Sequence, residues 1–315
     1  MYVAKVIATC FMKRELRLKS SLVGDPVGYF NHSQVLKSPE EVVDLIKYNI
    51  SLEKKVNPGI LKRDLIIVNS DVGYKNGNNF LREISGSKIP FGKIITCNRK
   101  NIGMSFGAYD YAFKKFKDKY DYFLFTEDDM IIAKKNYFKI GINLLNKNNK
   151  AGFLAYIHST KVDSTYYKPL SLNKNNAITA HGATGLSSTK ILKKILKKYK
   201  KLPHYNGNNY KKCIIYGEVG FPNSFIKIGY KIIDLPKDLV LTIPAYDLIS
   251  KRQYKKWPNK IEISYHYFKH YVYKIFAINS FSDLTKKKHE LNETISLRLF
   301  LKILSSVKNI LNLSK

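Results

Sequence analysis

The sequence predicts an α/β protein built on a mostly parallel central sheet flanked by helices. Short β-rich runs recur along the first part of the chain, with helical segments between them. These runs are Val3 to Cys10, Asp64 to Val68, Lys93 to Thr96 and Tyr122 to Phe125. Strands at such intervals, joined by helices, form a parallel sheet with right-handed crossovers. The nearly continuous apolar character of the last run is typical of a central parallel strand.

The first predicted helix follows Ser38. Ser38 suits the N-cap, Pro39 suits the first helical position, and Glu40 and Glu41 favour the positive end of the helix dipole. Further along, the segments 151–158 and 229–233 predict strands, the second of them at a sheet edge. Ser187 and Ser188 precede a basic amphipathic helix. We expect a domain over residues 1–245, with halves of about 1–130 and 131–245, and a basic extension over 246–315.

Composition excludes several classes of protein. The chain has 315 residues, of which 44% are hydrophobic, and its 23 Tyr and 17 Phe provide enough apolar surface for a core rather than a disordered basic tail. No apolar run reaches the roughly 18 residues that a membrane-spanning helix needs. The N-terminus has no basic segment before its apolar stretch, so it predicts a strand and not a signal peptide. Three widely spaced cysteines exclude a disulfide framework and fit a reducing cytosol.

The formal net charge of +31 favours anionic partners: nucleic acid, anionic lipid or phosphorylated substrates. Most of the basic residues are Lys, beside abundant Asn, Ile and Tyr, a combination that an A/T-rich genome tends to produce. The charge is spread over the whole chain, and no nucleic-acid-reading module is visible. A specific nucleic-acid partner is therefore not expected, although nonspecific, salt-dependent DNA binding would be unsurprising.

The sharpest chemical signal is the acidic triplet Glu127-Asp128-Asp129 at the end of an apolar strand. Adjacent carboxylates repel one another, and a divalent cation relieves that repulsion. Mg²⁺ typically binds one or two protein carboxylates and takes its other ligands from water and substrate phosphates. The triplet therefore predicts a site for a metal-bound diphosphate. The alternative is a solvated acidic turn or the start of a helix.

Polar residues also follow the other predicted strands, at Thr9, Asn69 to Asp71 and Asn98 to Gly103. The carboxyl ends of parallel strands meet at one edge of the sheet, and ligands of open α/β sheets bind beyond that edge. We therefore expect these residues to share a site with the acidic triplet.

Taken in order, these motifs resemble a known family. Three motifs in the first part of the chain are similar to the donor half of a GT-A glycosyltransferase of family 2. They are a strand followed by Asn-Ser-Asp, then Asn101-x-Gly103-x-x-x-Gly107-Ala108, then Tyr-Asp-Tyr-x-Leu-Phe-x-Glu-Asp-Asp. Three later segments resemble the acceptor half of the same family: Gly182-Ala-Thr-Gly185, Gly217-Glu218-Val219 and Gly229-Tyr-Lys-Ile. The resemblance spans roughly residues 3–236 and implies the GT-A (Rossmann-like) fold with a helical C-terminal extension.

The resemblance implies roles for the donor-half residues. Asp129 occupies the position of a metal ligand in the Asp-x-Asp motif, with Glu127 near the metal or the ribose and Asp128 between them. Thr9 and the segment Asn69 to Asp71 stand where family members hold base and ribose. The loop and helix residues expected near the nucleotide are Asn101, Gly103 and Asp110; their alternative is a helix cap with a glycine turn. The sequence departs from the pattern at Glu127 and at Asn69, where the family commonly has Asp.

In the acceptor half, Glu218 matches the general-base position of the family, which implies inverting transfer. Val219 stands where a second acid is common. The alternative is a Glu at a helix N-terminus beside Gly217. A late histidine often reaches the metal in this family, and His266 is the candidate, with His270 on the same helical face. An isolated surface histidine pair is the other interpretation.

The sequence as a whole predicts transfer of a sugar from a nucleotide-diphosphate donor to a glycan or lipid-linked acceptor in cell-surface polysaccharide synthesis, with Mn²⁺ or Mg²⁺. The rivals are a nucleotidyltransferase, a non-catalytic sugar-nucleotide-binding protein and, below these, a nucleic-acid-binding protein. We expect a cytoplasmic protein. The amphipathic stretch 292–315 either attaches it to the anionic inner face of the plasma membrane or docks on its own domain. No oligomeric state follows from the sequence.

Overall fold

A mixed eight-stranded sheet is the centre of the fold in a computed structural model, which describes residues 1–12, 38–132, 134–157, 159–162, 164–172, 177–180, 184–236, 239 and 241–244. The strands are Val3–Thr9 (β1), Arg63–Asp71 (β2), Lys88–Ile89 (β3), Gly92–Lys100 (β4), Tyr122–Glu127 (β5), Met130–Ile131 (β6), Ala151–Ala155 (β7), Ser159–Lys161 (β8), Ile178–Ala180 (β9), Gly185–Ser188 (β10), Lys231–Asp234 (β11) and Ile243–Pro244 (β12). The helices are Pro39–Lys55 (α1), Lys75–Ile84 (α2), Met104–Phe116 (α3), Tyr137–Asn146 (α4), Ser164–Tyr167 (α5), Thr189–Tyr199 (α6), Tyr210–Cys213 (α7) and Gly220–Ile226 (α8).

The strand order in this sheet is β11-β7-β10-β5-β1-β2-β4-β3. Strands β5, β1, β2 and β4 are mutually parallel, and β11 is parallel to β7. Strand β10 is antiparallel to both of its neighbours, and β3 is antiparallel to β4. The predicted α/β class with a mostly parallel sheet is confirmed, and β11 is the predicted edge strand. The sheet takes strands from both predicted halves of the chain.

Helix α1 begins where the sequence predicts. The Ser38 hydroxyl accepts a hydrogen bond from the Glu41 amide at 3.2 Å, and the Glu41 carboxylate accepts one from the Ser38 amide at 2.8 Å. This reciprocal capping box satisfies two backbone donors that the first turn would otherwise leave open. Ser188 caps α6 with a single hydrogen bond, since its hydroxyl accepts from the Ile191 amide at 3.4 Å.

Helices cover both faces of the sheet. On one face, alternate β1 residues such as Val6 pack with Phe123 and Phe125 of β5 against α3, α6 and α8. On the other face, Ile7 packs with Ile67 of β2 against α1, while α4 covers the β5, β7 and β10 side. The alternation follows from the period of two along a strand. Each fully buried large apolar side chain contributes roughly 1.5–3 kcal/mol.

A buried charged group interrupts the apolar side of β1 that faces α1 and α4. Lys5 Nζ lies 2.7 Å from Glu53 Oε1, and Arg63 Nη1 donates to the other oxygen, Oε2. The Tyr137 hydroxyl also donates to Glu53 Oε2, at 2.8 Å. Lys5, Glu53 and Arg63 are each about 1% exposed. Two cations therefore share one carboxylate in the interior, which leaves an excess positive charge where solvation is poor.

The extension over 246–315, including the amphipathic stretch 292–315, lies outside the described residues, so the predicted domain boundary stays a prediction. Within the described residues, no helix is both long enough and apolar enough to cross a bilayer.

Candidate functional site

The acidic triplet lies at the carboxyl end of β5, as predicted. Glu127 is the last residue of the strand and is half-buried, while Asp128 and Asp129 form the turn into β6 and are 0% and 1% exposed. The alternative of a solvated acidic turn is therefore wrong for these two aspartates. Burying carboxylates is costly unless hydrogen bonds or charges compensate.

Asp128 is compensated by contacts within the protein. Its Oδ2 accepts a hydrogen bond of 2.7 Å from the Thr9 hydroxyl, and its backbone amide donates to the Ala8 carbonyl at 3.1 Å. The Asn49 side-chain amide donates to the Asp128 carbonyl at 2.8 Å. These bonds attach the turn to β1 and α1. The Thr9 hydroxyl thus donates its hydrogen bond to Asp128. The nucleotide-binding roles expected of Thr9 and Asp128 stay predictions.

Tyr109 of α3 shows that the triplet and Glu218 belong to one site. The ring is fully buried, and burial raises the pKa of its hydroxyl well above 10; the carboxylates of Glu127, Asp129, Asp128 and Glu218 raise this pKa further. Coulomb energy falls with distance, so each of these groups lies near enough to act on the Tyr109 hydroxyl. The four carboxylates come from two distant stretches of sequence, and the fold brings both stretches near Tyr109.

Glu218 sits in a π-helical turn, Ile214–Val219, which connects α7 directly to α8. The alternative of a Glu at a helix N-terminus beside Gly217 is wrong, because Glu218 lies inside one continuous helical stretch. Glu218 is half-buried. Gly217 lets this turn approach α3, since a Cβ there would lie 2.5 Å from the Phe106 ring. Single π turns inside helices occur frequently at functional sites.

Aromatic packing fixes this helical stretch against β5. The Phe125 ring lies 5.8 Å from the Phe221 ring in an edge-to-face arrangement and 4.8 Å from the Tyr109 ring. Phe106 contacts both Tyr109 and Phe221, with ring centroids 5.6 and 6.0 Å apart. Such pairs add about 0.5–1.5 kcal/mol each beyond their buried area. Phe125 is two residues before Glu127 and Phe221 is three after Glu218, so the packing sets the spacing of the two acids.

The ends of β1, β2 and β4 carry a polar row. Thr9, Asn69 and Asn98 occupy neighbouring register positions on these three strands. The Asn69 side-chain amide donates to Asn78 Oδ1 at 2.9 Å and to Asn98 Oδ1 at 3.3 Å. Its own Oδ1 is buried and has no hydrogen-bond partner among the described residues. The predicted alignment of these strand ends at one edge is confirmed.

Asp71 extends this row at the end of β2. Its Oδ1 accepts hydrogen bonds from the Asn78 side chain at 3.0 Å and from the Gly73 amide at 2.9 Å. These two bonds lower the pKa of Asp71, so the carboxylate is ionised at neutral pH. A nucleotide at this edge would meet a fixed negative charge beside amide groups.

The loop after β4 makes a sharp turn at Gly103, which has a φ of 73°. Gly103 occupies the N-cap position of α3 and provides no side-chain hydrogen bond. The alternative of a helix cap with a glycine turn therefore describes the backbone at Gly103, and Asn101 is not the cap. Arg99 braces the turn, because its guanidinium donates to the Ile102 carbonyl and, at 2.8 Å, to the Ser70 hydroxyl. Asn101 is half-buried in this loop.

Asp110 is engaged inside the protein. Its Oδ1 accepts the Leu202 amide at 2.7 Å, and its Oδ2 lies 2.9 Å from Lys114 Nζ. The carboxylate therefore joins α3 to the loop after α6. The bonds to the Leu202 amide and to Lys114 are sufficient to account for a buried acid at Asp110. The expected approach of Asp110 to the nucleotide stays a prediction.

The donor set fits a hard divalent cation in one respect. Glu127 and Asp129 provide carboxylate oxygens at the sheet edge, which matches the one or two carboxylates that Mg²⁺ takes. Among the described parts of the chain, no group of three or more His, Cys, Asp or Glu side chains is arranged to hold a metal ion. His266, the third predicted ligand, lies outside them. Water and a substrate diphosphate would have to complete the coordination.

Sequence reasoning missed Tyr109 and His204. Tyr109 follows Phe106 by three residues, a spacing that predicts a shared helix face. No signal in the sequence predicts its nearness to acids far away along the chain. His204 packs at Gly103, and only the folded loop after α6 brings it there.

No protein-family model and no curated protein matches this sequence. Several solved structures are similar in fold. A mannosyltransferase from Pyrobaculum calidifontis, in complex with GDP-Man and Mn²⁺, is 10% identical, with a TM-score of 0.43 over 98% of this chain and 80% of that one. TarS 1-349 of S. aureus is 10% identical, with a TM-score of 0.42 over 95% of this chain and 76% of that one.

A third similar structure is 4-diphosphocytidyl-2C-methyl-D-erythritol synthase from Anaerococcus prevotii. It is 12% identical, with a TM-score of 0.37 over 74% of this chain and 86% of that one. With TM-scores below 0.5, these likenesses carry no argument about the reaction of this chain. The α/β class rests on the strand order and the flanking helices described above.

Proposed function

We propose that this protein is a glycosyltransferase. It would move a sugar from a nucleotide-diphosphate donor to a glycan or lipid-linked acceptor in cell-surface polysaccharide synthesis, with inversion at the anomeric carbon. The observation that carries the proposal is the packing of Phe125 against Tyr109 and Phe221, which brings the β5 acids and Glu218 close to one another; all four carboxylates also act on the Tyr109 hydroxyl. A carboxylate pair for a metal-bound diphosphate and a separate carboxylate for an acceptor are the groups that such a transfer needs.

Glu218 is the proposed general base. Its carboxylate takes the proton of the acceptor hydroxyl while that oxygen bonds to the anomeric carbon. The bond between the anomeric carbon and the diphosphate oxygen breaks, and its electron pair leaves with the diphosphate. The aromatic packing between Phe125 and Phe221 holds this base at a fixed distance from the diphosphate site. That rigidity supplies the alignment on which the rate depends.

Glu127 and Asp129 are the residues that would hold a divalent cation. Bound Mn²⁺ or Mg²⁺ supplies positive charge that stabilises the leaving diphosphate. Tyr109 stays neutral because burial and the neighbouring carboxylates oppose its ionisation. The polar row of Thr9, Asn69 and Asn98, with Asp71 beside it, is the proposed location of base and ribose.

A thermal-shift screen tests donor binding. We expect one of UDP-, GDP-, CMP- or dTDP-sugars, with Mn²⁺, to raise the melting temperature of the full chain. Asp129→Asn should lose the metal-dependent part of that shift. Asp118→Asn, which removes an exposed acid in the turn after α3, is the matched control and should keep this shift. Absence of stabilisation by every donor with metal present would contradict the proposal.

Glu218→Gln tests the role of the base. Donor stabilisation should persist, whereas transfer should fall about 10²-fold or more, because a positioned base contributes about that much. Glu83→Gln, at an exposed position of α2, should transfer normally. Near-normal transfer by Glu218→Gln at saturating donor would exclude Glu218 as the base.

The nucleotidyltransferase alternative predicts a different product. Incubation with a nucleoside triphosphate and a sugar phosphate would then release pyrophosphate, and a nucleotide sugar alone would not react. Those enzymes have a glycine-rich, Arg-containing loop directly after the first strand. Residues Thr9 to Arg14 contain no glycine, which favours the glycosyltransferase proposal.

A further inference from the structure

A groove lies behind the helical stretch that carries Glu218. It has a volume of about 220 Å³ and runs between α8, the end of α6 and the segment after α5. Leu170, Leu172 and Pro203 form its apolar wall, and the rings of Tyr199 and Tyr216 contribute aromatic surface. A concave, mostly apolar pocket with a few polar groups is the usual form of a small-ligand site.

The groove and Glu218 are on opposite sides of the same helical stretch. Tyr216, Gly220 and Lys227 line the groove, and their spacings of four and seven residues place them on one helical face. Glu218 is two residues from both Tyr216 and Gly220, which is about half a turn away. A ligand in the groove therefore does not occupy the place of the reacting groups.

The polar groups that line the groove favour an anion with hydroxyl groups. The Tyr199 hydroxyl is buried and has no hydrogen-bond partner among the described residues. Lys201 and Lys227 lie at the groove, where their ammonium groups donate to Asn206 Oδ1 at 2.6 Å and to the Leu170 carbonyl at 3.0 Å. Among the described lining residues there is no Asp or Glu. The described lining therefore carries two ammonium groups and no carboxylate, which favours an anionic ligand.

His204 connects the groove to the turn at Gly103. A Cβ at Gly103 would lie 2.6 Å from His204 Cδ2, and the Gly103 amide donates to the Gly207 carbonyl at 2.9 Å. The His204 ring is held by a 2.9 Å hydrogen bond from Nδ1 to the Leu202 carbonyl. The groove thus adjoins the predicted donor loop on one side and the helical stretch that carries Glu218 on another.

We propose that this groove binds an anionic saccharide unit of the acceptor, at a distance from the sugar that receives the transferred residue. This inference rests on the proposed glycosyltransferase function. The apolar C–H face of a pyranose would pack on Tyr216 and the leucines. A sugar oxygen would accept the hydrogen bond of the Tyr199 hydroxyl, and a phosphate or carboxylate on the sugar would pair with Lys201 and Lys227.

Ligand-observed NMR titration of the full chain tests the groove. The probes are glucose 6-phosphate and glucuronate, with glucose and inorganic phosphate as the separate halves of the ligand. We expect both anionic sugars to bind at least about tenfold more tightly than either half, a difference of about 1.4 kcal/mol. Equal binding by phosphate or by glucose alone, or no binding by either anionic sugar, would overturn the proposal.

Variants locate the binding. Tyr199→Phe should weaken both anionic sugars about fivefold, since one hydrogen bond is lost. Gly220→Leu should abolish binding by filling the groove. Gly220→Ala is the milder filler, because its methyl group would lie 3.7 Å from Pro203 and 3.9 Å from Leu170, at ordinary contact distance. Lys190→Gln, on an exposed position of α6, is the control and should bind normally. Unchanged affinity in Tyr199→Phe and Gly220→Leu would overturn the assignment.

One variant separates this inference from the proposed function. Asp129→Asn should lose metal-dependent donor stabilisation and retain glucose 6-phosphate binding, since Asp129 does not line the groove. If no nucleotide sugar binds but the groove variants behave as expected, the proposed function fails and the site stands. If nucleotide sugars bind and the groove variants have no effect, the acceptor-site inference alone fails.

Discussion

Replacing Lys5 with methionine should remove a pH dependence of stability that the buried charge cluster imposes. Burial, together with repulsion from Arg63, lowers the pKa of Lys5 from 10.5 to about 7. Glu53 is shared between both cations, and burial raises the pKa of the Tyr137 hydroxyl beside it to about 12. Lys5 is therefore the group in this cluster that responds to rising pH.

The expected magnitude follows from this pKa. Above about pH 7 the unfolded chain still holds the Lys5 proton while the folded chain releases it, so the free energy of unfolding rises with pH. At about 1.4 kcal/mol per pKa unit, burying the charged form costs about 5 kcal/mol at low pH. Raising the pH from about 7 to about 9 should relieve about 2 kcal/mol of this cost.

Urea denaturation at pH 7, 8 and 9 measures the effect. The wild-type free energy of unfolding should rise by about 2 kcal/mol more than that of Lys5→Met over this range. Titrating groups outside this cluster contribute equally to both proteins and cancel in the difference. Lys190→Met, which replaces an exposed lysine, is the control and should follow the wild type. Parallel pH profiles for wild type and Lys5→Met would refute the reasoning.

Three further predictions concern the framework of the site. Thr9→Val should destabilise the fold by about 1–3 kcal/mol in urea denaturation, because it leaves the buried Asp128 carboxylate without this donor, whereas Thr9→Ser should be close to wild type. Gly103→Ala should lower the melting temperature, because a φ of 73° is strained for alanine and the new methyl group would overlap the loop that contains His204 and Tyr205. Gly220→Ala is the control and should not lower the melting temperature, because the backbone at Gly220 is helical. Burial raises the pKa of Asp64, but hydrogen bonds from Lys119 at 2.8 Å and from two tyrosines outweigh it and hold that pKa below its usual range. Stability from Asp64 should therefore be present above about pH 4 and be lost as the pH falls through the lower folded pKa, and Asp64→Asn should flatten this acid limb.

Local patterns in the sequence were sufficient to predict the four parallel strands β1, β2, β4 and β5 and the starts of α1 and α6, but not α2, α4 or the antiparallel β10. The capping box at Ser38, the apolar run before Glu127 and the polar residues after β1, β2 and β4 are all features of contiguous residues. Their physical causes, which are backbone hydrogen bonding at helix ends and burial of alternating side chains, act within a few residues. The parallel sheet and the alignment of its carboxyl ends follow from those elements.

The sequence misled where a segment's conformation depends on its neighbours. For Glu218, the sequence left open the alternative of a helix N-terminus beside Gly217. In the structure Gly217 is needed for close packing against Phe106, and the backbone continues as a π turn between α7 and α8. Sequence patterns also did not predict that the side chains of Thr9 and Asp110 bond to Asp128 and to the Leu202 amide, which are distant in sequence. The nucleotide-binding roles expected of Thr9 and Asp110 stay predictions.

The sequence by itself determined the α/β class, the acidic triplet at a strand end and the excess of positive charge. Only the tertiary structure decided that Glu218 joins the triplet around Tyr109, and that a cationic groove lies behind the same helical stretch. The reason is physical: charge effects and packing depend on distance in space, and residues 109, 127–129 and 218 become neighbours only when α3, β5 and the π turn pack together through their aromatic rings.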